Sequence, residues 1–368
     1  MIEETPRRIT FSLFVAVFLI LVIGIINLYS ASRADASTTP PIYVKQLIWL
    51  GISLVAMGVT VIFDYRFFDR WAYLIYLLNI SLLVLVLFLG DRTSGAVRWF
   101  TFGPISLQPS ELMKISLILA MAHYVSNNVP SDGMRIRDVF VLSAFALVPV
   151  LLIVKEPDLG SAGLVVLIFA TVLFSLVMRP GTTVALAISG ILLVPSGIYF
   201  GWNFLKPYQR QRIVTFINPE LDPLGAGYHS IQSKIAVGSG KIIGKGYLEG
   251  TQSQLRFLPE QHTDFIFSVL AEEWGLLGAL VVLALLFVVI YRAISIARDS
   301  RNVFGSVVAI GISAVFFWQC FVNIGMAVGI FPVVGIPLPF LSYGGSSLLA
   351  MLVGVGLLFN LNIRRQVW

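Results

Sequence analysis

The chain has 368 residues, of which 57% are hydrophobic and 12% charged, and its formal net charge is +6. Soluble domains carry about 25% charged residues, so this composition, with a mean hydropathy of +0.89, describes a polytopic membrane protein. The basic residues are scattered over short loops and form no stripe, which excludes nucleic acid as a partner. The lone Cys320 sits inside an apolar run, which excludes a disulfide framework and a Cys-based metal site.

Crossing the hydrocarbon core takes roughly 20 apolar residues. The pattern predicts ten spans, at about 11–30, 45–63, 71–90, 110–126, 137–154, 160–178, 182–201, 264–292, 303–329 and 342–362. The first apolar run, Phe11 to Leu28, is too long for a cleaved signal segment of about 7–15 residues, so it is read as a retained span. Glu111, Lys114 and His123 interrupt the fourth span. Pro149 and Pro195 fall inside the fifth and seventh and predict kinks there. The expectation is one all-α membrane domain over residues 1–368.

Lys and Arg gather on the cytoplasmic side of membrane proteins. Arg7, Arg8, Arg364 and Arg365 flank the two ends of the chain. On the same side fall Arg66, Arg70, Arg135, Arg137, Arg179, Arg292, Arg298 and Arg301; the opposite short loops carry Arg33, Lys45, Arg92, Arg98 and Lys155. Both termini are therefore predicted to be cytoplasmic. One large loop, 202–263, then faces outward between spans seven and eight. Amphipathic helices are expected in it at Tyr208–Ile217 and Tyr228–Val237, with turns at Asn218-Pro219 and Asp222-Pro223. Its basic residues include Lys206, Arg210, Arg212, Lys241, Lys245 and Arg256, and they call for an anionic partner.

The stretch RFLPEQHTDFIFSVLAEEWG, residues 256–275, turns from a polar loop into the eighth span. Asp264 stands at that turn. A carboxylate at a membrane mouth is costly and asks for a function. We read it as catalytic, on a substrate whose lipid tail lies in the bilayer. Glu111 and Lys114, three apart, share a helix face. They either neutralise each other or form the polar wall of an outward cavity. Asp158, in KEPDLGSAG, either caps the sixth span or belongs to a site with Lys155 and Glu156. Glu272 and Glu273 read as buried, satisfied carboxyls, one of which can face the interior. Ser342-Tyr343-Gly344-Gly345-Ser346 offers either close helix packing or hydroxyls. GSGKIIGKG, residues 238–246, lacks the nucleotide-loop spacing, because Gly246 stands where Ser or Thr is needed. It remains a turn whose amides and lysines can meet a phosphate. His262 and Asp264 are too sparse a pair to predict a metal site.

The run KPYQRQRIVTFINPELDPLGAGYHSIQSKIAVGSGKIIGKGYLEGTQSQLRFLPEQHTDFIFSVLAEEWG resembles the SEDS family of shape, elongation, division and sporulation proteins. GAVRWFTFGPISLQPSELMK, KEPDLGS and GIPLPFLSYGGSS are similar to its other signatures and follow in family order. The GTQSQLRFLPEQHTDFIF form is closer to the rod-shape branch than to the division branch. The resemblance implies a ten-span peptidoglycan glycosyltransferase of the bacterial cytoplasmic membrane. Its substrate would be lipid II, polymerised into glycan during elongation and rod-shape maintenance. A class B penicillin-binding protein, the crosslinking transpeptidase, is the implied partner. Asp264 would be the essential carboxylate, and Glu111, Lys114 and Asp158 would belong to the outward cavity.

Glycosyl transfer needs a base for the acceptor hydroxyl and cations for the departing pyrophosphate. Asp264 fits the base. Lys114, Arg210, Arg212 and Lys245 are the candidate pyrophosphate partners, and Ser342 a candidate substrate contact. A divalent cation joining Asp264 to the pyrophosphate is an alternative role for the same carboxylate. The competing class is a lipid II flippase. A transporter places its charges near the midplane, whereas here the strongest polar cluster lies toward the outer side.

Overall fold

The computed structural model describes residues 6–33, 40–93, 96–103, 105–130, 132–186, 210, 214–216, 226–255, 257–258 and 260–364. Six helices come first: α1 (Pro6–Arg33), α2 (Ile42–Ile62), α3 (Tyr65–Leu89), α4 (Pro109–Asn128), α5 (Ile136–Lys155) and α6 (Leu159–Ser175). After these come α7 (Ala226–Ser239), the single turn α8 (Thr251–Gln254), α9 (Ile266–Asp299), α10 (Val303–Ala327) and α11 (Gly345–Arg364). Seven of them, α1, α2, α3, α5, α9, α10 and α11, are long and apolar enough to cross a membrane. Residues 180–186 begin a further helix where the seventh span was expected, and the rest of that span lies outside the described residues. The same holds for most of the expected Tyr208–Ile217 helix, whereas the expected Tyr228–Val237 helix is found as α7.

Two expectations change. The chain is mostly but not wholly helical, because the connection between α3 and α4 folds into a small antiparallel sheet. Its strands are β1 (Asp91–Thr93), β2 (Ala96–Phe102) and β3 (Ile105–Leu107), in the order β1-β2-β3. Phe100 pairs with Leu107 and Phe102 with Ile105 across β2 and β3. The alternating AVRWFTF run suits a half-buried strand. Second, the eighth span is not one continuous helix from residue 264. It starts at Ile266 and breaks at Gly275, whose φ of 65° and ψ of −165° leave the helical region.

Helix α4 explains how Glu111 and Lys114 are tolerated. Almost every residue from Pro109 to Ala122 is buried, so α4 is a central helix with no lipid-facing side at its polar end. Around it pack α3, α10 and α11. Close approach is set by small residues: a Cβ at Gly311 of α10 would fall 2.5 Å from Ile118 of α4. The ends opposite the sheet are tied by polar contacts. Asn360 donates to the Thr60 carbonyl at 2.6 Å, and Arg364 pairs with Asp64 at 2.7 Å.

Candidate functional site

The site is built where three connections meet at one end of the bundle. Asp264 lies in a tight turn before α9. The Glu260 carbonyl accepts from the amides of Thr263 (3.2 Å) and Asp264 (3.1 Å), which fixes the backbone entering the helix. The turn is held from two sides. Asn323 of α10 donates to the Asp264 carbonyl at 2.9 Å. Ser342 donates to the Thr263 carbonyl at 2.6 Å, and the amide of Tyr343 donates to the His262 carbonyl at 2.8 Å.

The segment 328–344 between α10 and α11 is the common floor. Gly335 (φ 75°) lets the chain turn beneath Asp264, and a Cβ at Gly335 would come 3.5 Å from the Asp264 Oδ2. At the adjacent residue, a Cβ at Gly160 of α6 would fall 2.6 Å from the Val334 carbonyl oxygen. Asp158 caps that same α6. Asp264 and the Asp158 cap therefore flank neighbouring residues of one loop, although they are far apart in sequence.

Asp158 serves both readings of it. It caps α6 by accepting from the Ser161 amide at 3.1 Å, and it also accepts from the Ser161 hydroxyl at 2.8 Å. Gln108 reaches it at 3.2 Å, and Arg98 lies 3.9 Å away on β2. Arg98 also donates to the carbonyls of Glu156 and Pro157, so the sheet delivers a guanidinium to the Asp158 turn. Glu156 is fully buried beside it, and burial pushes its carboxyl up to about 8, helped by the charge of Asp158 and opposed by Arg98.

Glu111 and Lys114 form a buried ion pair at 2.8 Å, with Lys114 wholly enclosed. It sits just inside the Gln108 position, where the Gln108 amide donates to Ser346 Oγ at 2.8 Å. Ser346 in turn donates to the Ser106 carbonyl at 3.0 Å, so the start of α11 binds the start of α4. The SYGGSS segment thus holds the Asp264 turn through Ser342 and the Asp158 network through Ser346 and Gln108. The Ser342 hydroxyl also accepts from the Leu338 amide at 2.8 Å. Both of its hydrogen-bonding directions are engaged with backbone, which makes Ser342 a strut under Asp264.

Lys245 is placed elsewhere. Its ammonium pairs with Glu272 at 2.6 Å and reaches Thr251 at 2.7 Å, two turns into α9 from Asp264. The other expected interior carboxylate, Glu273, accepts from Ser30 of α1. Several amides of the glycine-rich turn are taken up within the protein. The amides of Lys245 and Gly246 donate to the carbonyls of Glu272 (3.0 Å) and Glu273 (3.1 Å). In exchange, the carbonyls of Lys241 and Ile242 accept from Leu276 (2.9 Å) and Leu277 (3.1 Å). The turn thus supplies the hydrogen bonds that the break at Gly275 removes from α9. Arg210, described without its immediate neighbours, is half-buried, and Arg212 and Arg256 lie outside the described residues. Among the described residues no group of three or more His, Cys, Asp or Glu side chains converges to hold a metal ion.

Asn323 and Gln108 join the site without having stood out in the sequence, Ser346 was visible there only as one of the hydroxyls of SYGGSS, and Arg98 only as a charge for orientation. A buried Asn in an apolar span was the one available signal for Asn323.

A family model described as a cell cycle protein, the FtsW, RodA and SpoVE family, matches residues 11–367. The chain belongs to this family. Among its relatives, the peptidoglycan glycosyltransferase MrdB of Escherichia coli strain K12 is 42% identical over 349 residues, covering 95% of this chain and 92% of MrdB. The peptidoglycan glycosyltransferase RodA of Treponema pallidum is 34% identical, covering 93% of this chain and 95% of that protein. A solved structure described as the structural coordination of polymerization and crosslinking by a peptidoglycan synthase complex superposes with a TM-score of 0.80 and 32% identity. That match covers 97% of this chain and 98% of the other. The FtsW, RodA and SpoVE fold thus extends over essentially the whole molecule.

Proposed function

We propose that this chain is a peptidoglycan glycosyltransferase that polymerises lipid II into glycan strands during cell elongation and rod-shape maintenance. The observation that carries the reading is the shared floor of Asp264 and Asp158. Asp264 and the start of α6, which Asp158 caps, are brought by different connections to neighbouring residues of one loop, in a family whose relatives are peptidoglycan glycosyltransferases. The setting is the bacterial cytoplasmic membrane, crossed ten times, with both termini cytoplasmic and the 202–263 loop outside. The Lys and Arg asymmetry supports that orientation, and α4, which is less apolar, and α6, which is apolar but only 17 residues long, supply helices where the fourth and sixth spans are expected.

In the reaction, Asp264 takes the proton of the acceptor sugar hydroxyl. The oxygen attacks the anomeric carbon of the donor sugar as that carbon's bond to the pyrophosphate breaks. The leaving group is the polyprenyl pyrophosphate, and its negative charge needs cations. Lys114, Arg210, Arg212 and Lys245 are the proposed pool. Lys114 stands at the inner end of the Gln108–Glu111 wall, while Lys245 would have to share its ammonium with Glu272. Asp158 orients Gln108 and Ser161, and Ser342 holds Asp264 against the floor. A divalent cation, if used, would be carried by Asp264 and the pyrophosphate together, since the described residues provide no protein cage for it.

The partner is a class B penicillin-binding protein, in keeping with the related peptidoglycan synthase complex. The deciding experiment gives lipid II to the purified protein with its partner. Glycan polymer with release of polyprenyl pyrophosphate is the expected result. Movement of lipid II across vesicles without polymer would make the chain a flippase.

A further inference from the structure

The glycine-rich turn carries a surface that the reaction does not use. Two hydrogen bonds fix its depth, from Leu276 to the Lys241 carbonyl and from Leu277 to the Ile242 carbonyl. Residues 241–243 are thereby held level with the first turn of α9 after the break. That turn opens the membrane-crossing part of the helix. Leu276, Leu277, Leu280 and Val281 are 53%, 57%, 49% and 53% exposed, and in a spanning helix such a face meets lipid. Beside it, Ile242 is 62% and Ile243 79% exposed, adjacent apolar side chains at the tip of a turn.

We propose that the tip 241–243 is a membrane wedge. Ile242 and Ile243 enter the acyl-chain edge of the leaflet in which the α9 span begins, and Lys241 reaches back to the lipid headgroups. Three observations favour bilayer lipid as the occupant. The patch is continuous with the lipid-facing side of α9. Lys241, which is exposed, gives the tip the cationic rim of an interfacial segment. Part of the tip's backbone is already paired, which lowers the penalty hydrocarbon would impose: beyond the bonds from α9 to the carbonyls of Lys241 and Ile242, Gly244 donates to the Gly240 carbonyl at 2.8 Å and Lys241 to the Gly238 carbonyl at 3.4 Å. The wedge would hold the broken helix at a fixed depth and keep the Lys245–Glu272 pair at the membrane edge. It follows from the span and the turn alone and does not depend on the chemistry at Asp264.

Site-directed spin labels test it in the full chain, in a Cys320→Ala background. The protein is placed without its partner in liposomes of phosphatidylethanolamine and phosphatidylglycerol. Labels at Ile243→Cys, Leu277→Cys and Glu249→Cys are compared for collision with oxygen, which concentrates in hydrocarbon, and with a water-soluble nickel complex. Ile243 is expected to follow Leu277, relaxed more by oxygen than by nickel, while Glu249 shows the inverse ratio. An Ile243 label that follows Glu249, or one shielded from both reagents, overturns the wedge. So does an oxygen signal at Ile243 that disappears when the partner transpeptidase is added, since the surface would then be a protein-docking face.

Discussion

The side-chain amide of Asn323 donates to the carbonyl of Asp264 at 2.9 Å, and the same nitrogen donates to Ile336 at 2.7 Å. One fully buried residue of α10 therefore fixes both the turn that carries the carboxylate and the loop beneath it. Replacing it with Leu keeps the volume and removes both bonds. The Asp264 turn would then be free to drift, and a shift near 1 Å costs about 10²-fold in rate. Asn323→Leu is expected to insert and bind its partner, with kcat falling about 10²-fold and KM changing much less. Unchanged kcat in a lipid II polymerisation assay would show that Asn323 does not position the carboxylate.

Glu111 and Lys114 are a buried pair at 2.8 Å, and their energetics are asymmetric. Removing one partner of such a pair strands the other charge and costs about 3–5 kcal/mol, whereas replacing both with apolar residues is often neutral. Glu111→Gln should lower thermal stability in detergent by more than the double change Glu111→Leu with Lys114→Met. The double variant, which lacks the Lys114 ammonium proposed for the pyrophosphate, should be impaired in polymerisation. Equal stability of single and double variants would mean that Lys114 finds another partner.

Glu156 gives a pH dependence with a defined sign. Burial raises its carboxyl from 4.5 to about 8. Between those values the folded protein holds a proton that the unfolded chain releases, so stability falls as pH rises through this window. The contribution is complete below about 4.5 and lost once Glu156 ionises near 8. Glu156→Gln removes the titration. The variant and the parent should melt together at pH 5, and the variant should melt higher at pH 8. Parallel melting curves at both pH values would place the proton elsewhere.

The sequence made visible the parts of the site that break composition rules. Asp264, Asp158, Glu111 and Lys114 are costly charges in an apolar chain, and each stands out without a structure. The residues that hold them do not. Gln108 meets Asp158 across 50 positions, Asn323 meets Asp264 across 59, and Ser342 meets Thr263 across 79. Nothing local marks a Gln, Asn or Ser as the partner of so distant a segment. The glycine-rich turn was ambiguous for a related reason. Glycines serve a phosphate and a close backbone approach equally well. The break at Gly275, which decides between them, is hidden inside an apolar run. At Gly244, with φ of 89°, a Cβ would run into the Glu273 carbonyl, so here the glycine serves the helix.

The catalytic assignment rests on Asp264, and it can be isolated from folding. Among the described residues, the turn is held by hydrogen bonds to backbone acceptors: the carbonyl of Glu260, the carbonyl of Asp264 itself and the carbonyl of Thr263. Asp264→Asn leaves all of these in place. It keeps the shape of the side chain and removes its charge and most of its basicity. The variant should accumulate at the parental level and co-purify with the transpeptidase. Loss of a general base costs about 10²–10⁴-fold, so glycan formation from lipid II should fall by at least that lower figure. Asp264→Glu restores a carboxylate displaced by one methylene, and a trace of activity should return. Polymerisation by well-folded Asp264→Asn at the parental rate would sink the assignment and move the search for the base to Asp158, the carboxylate that caps the neighbouring helix α6.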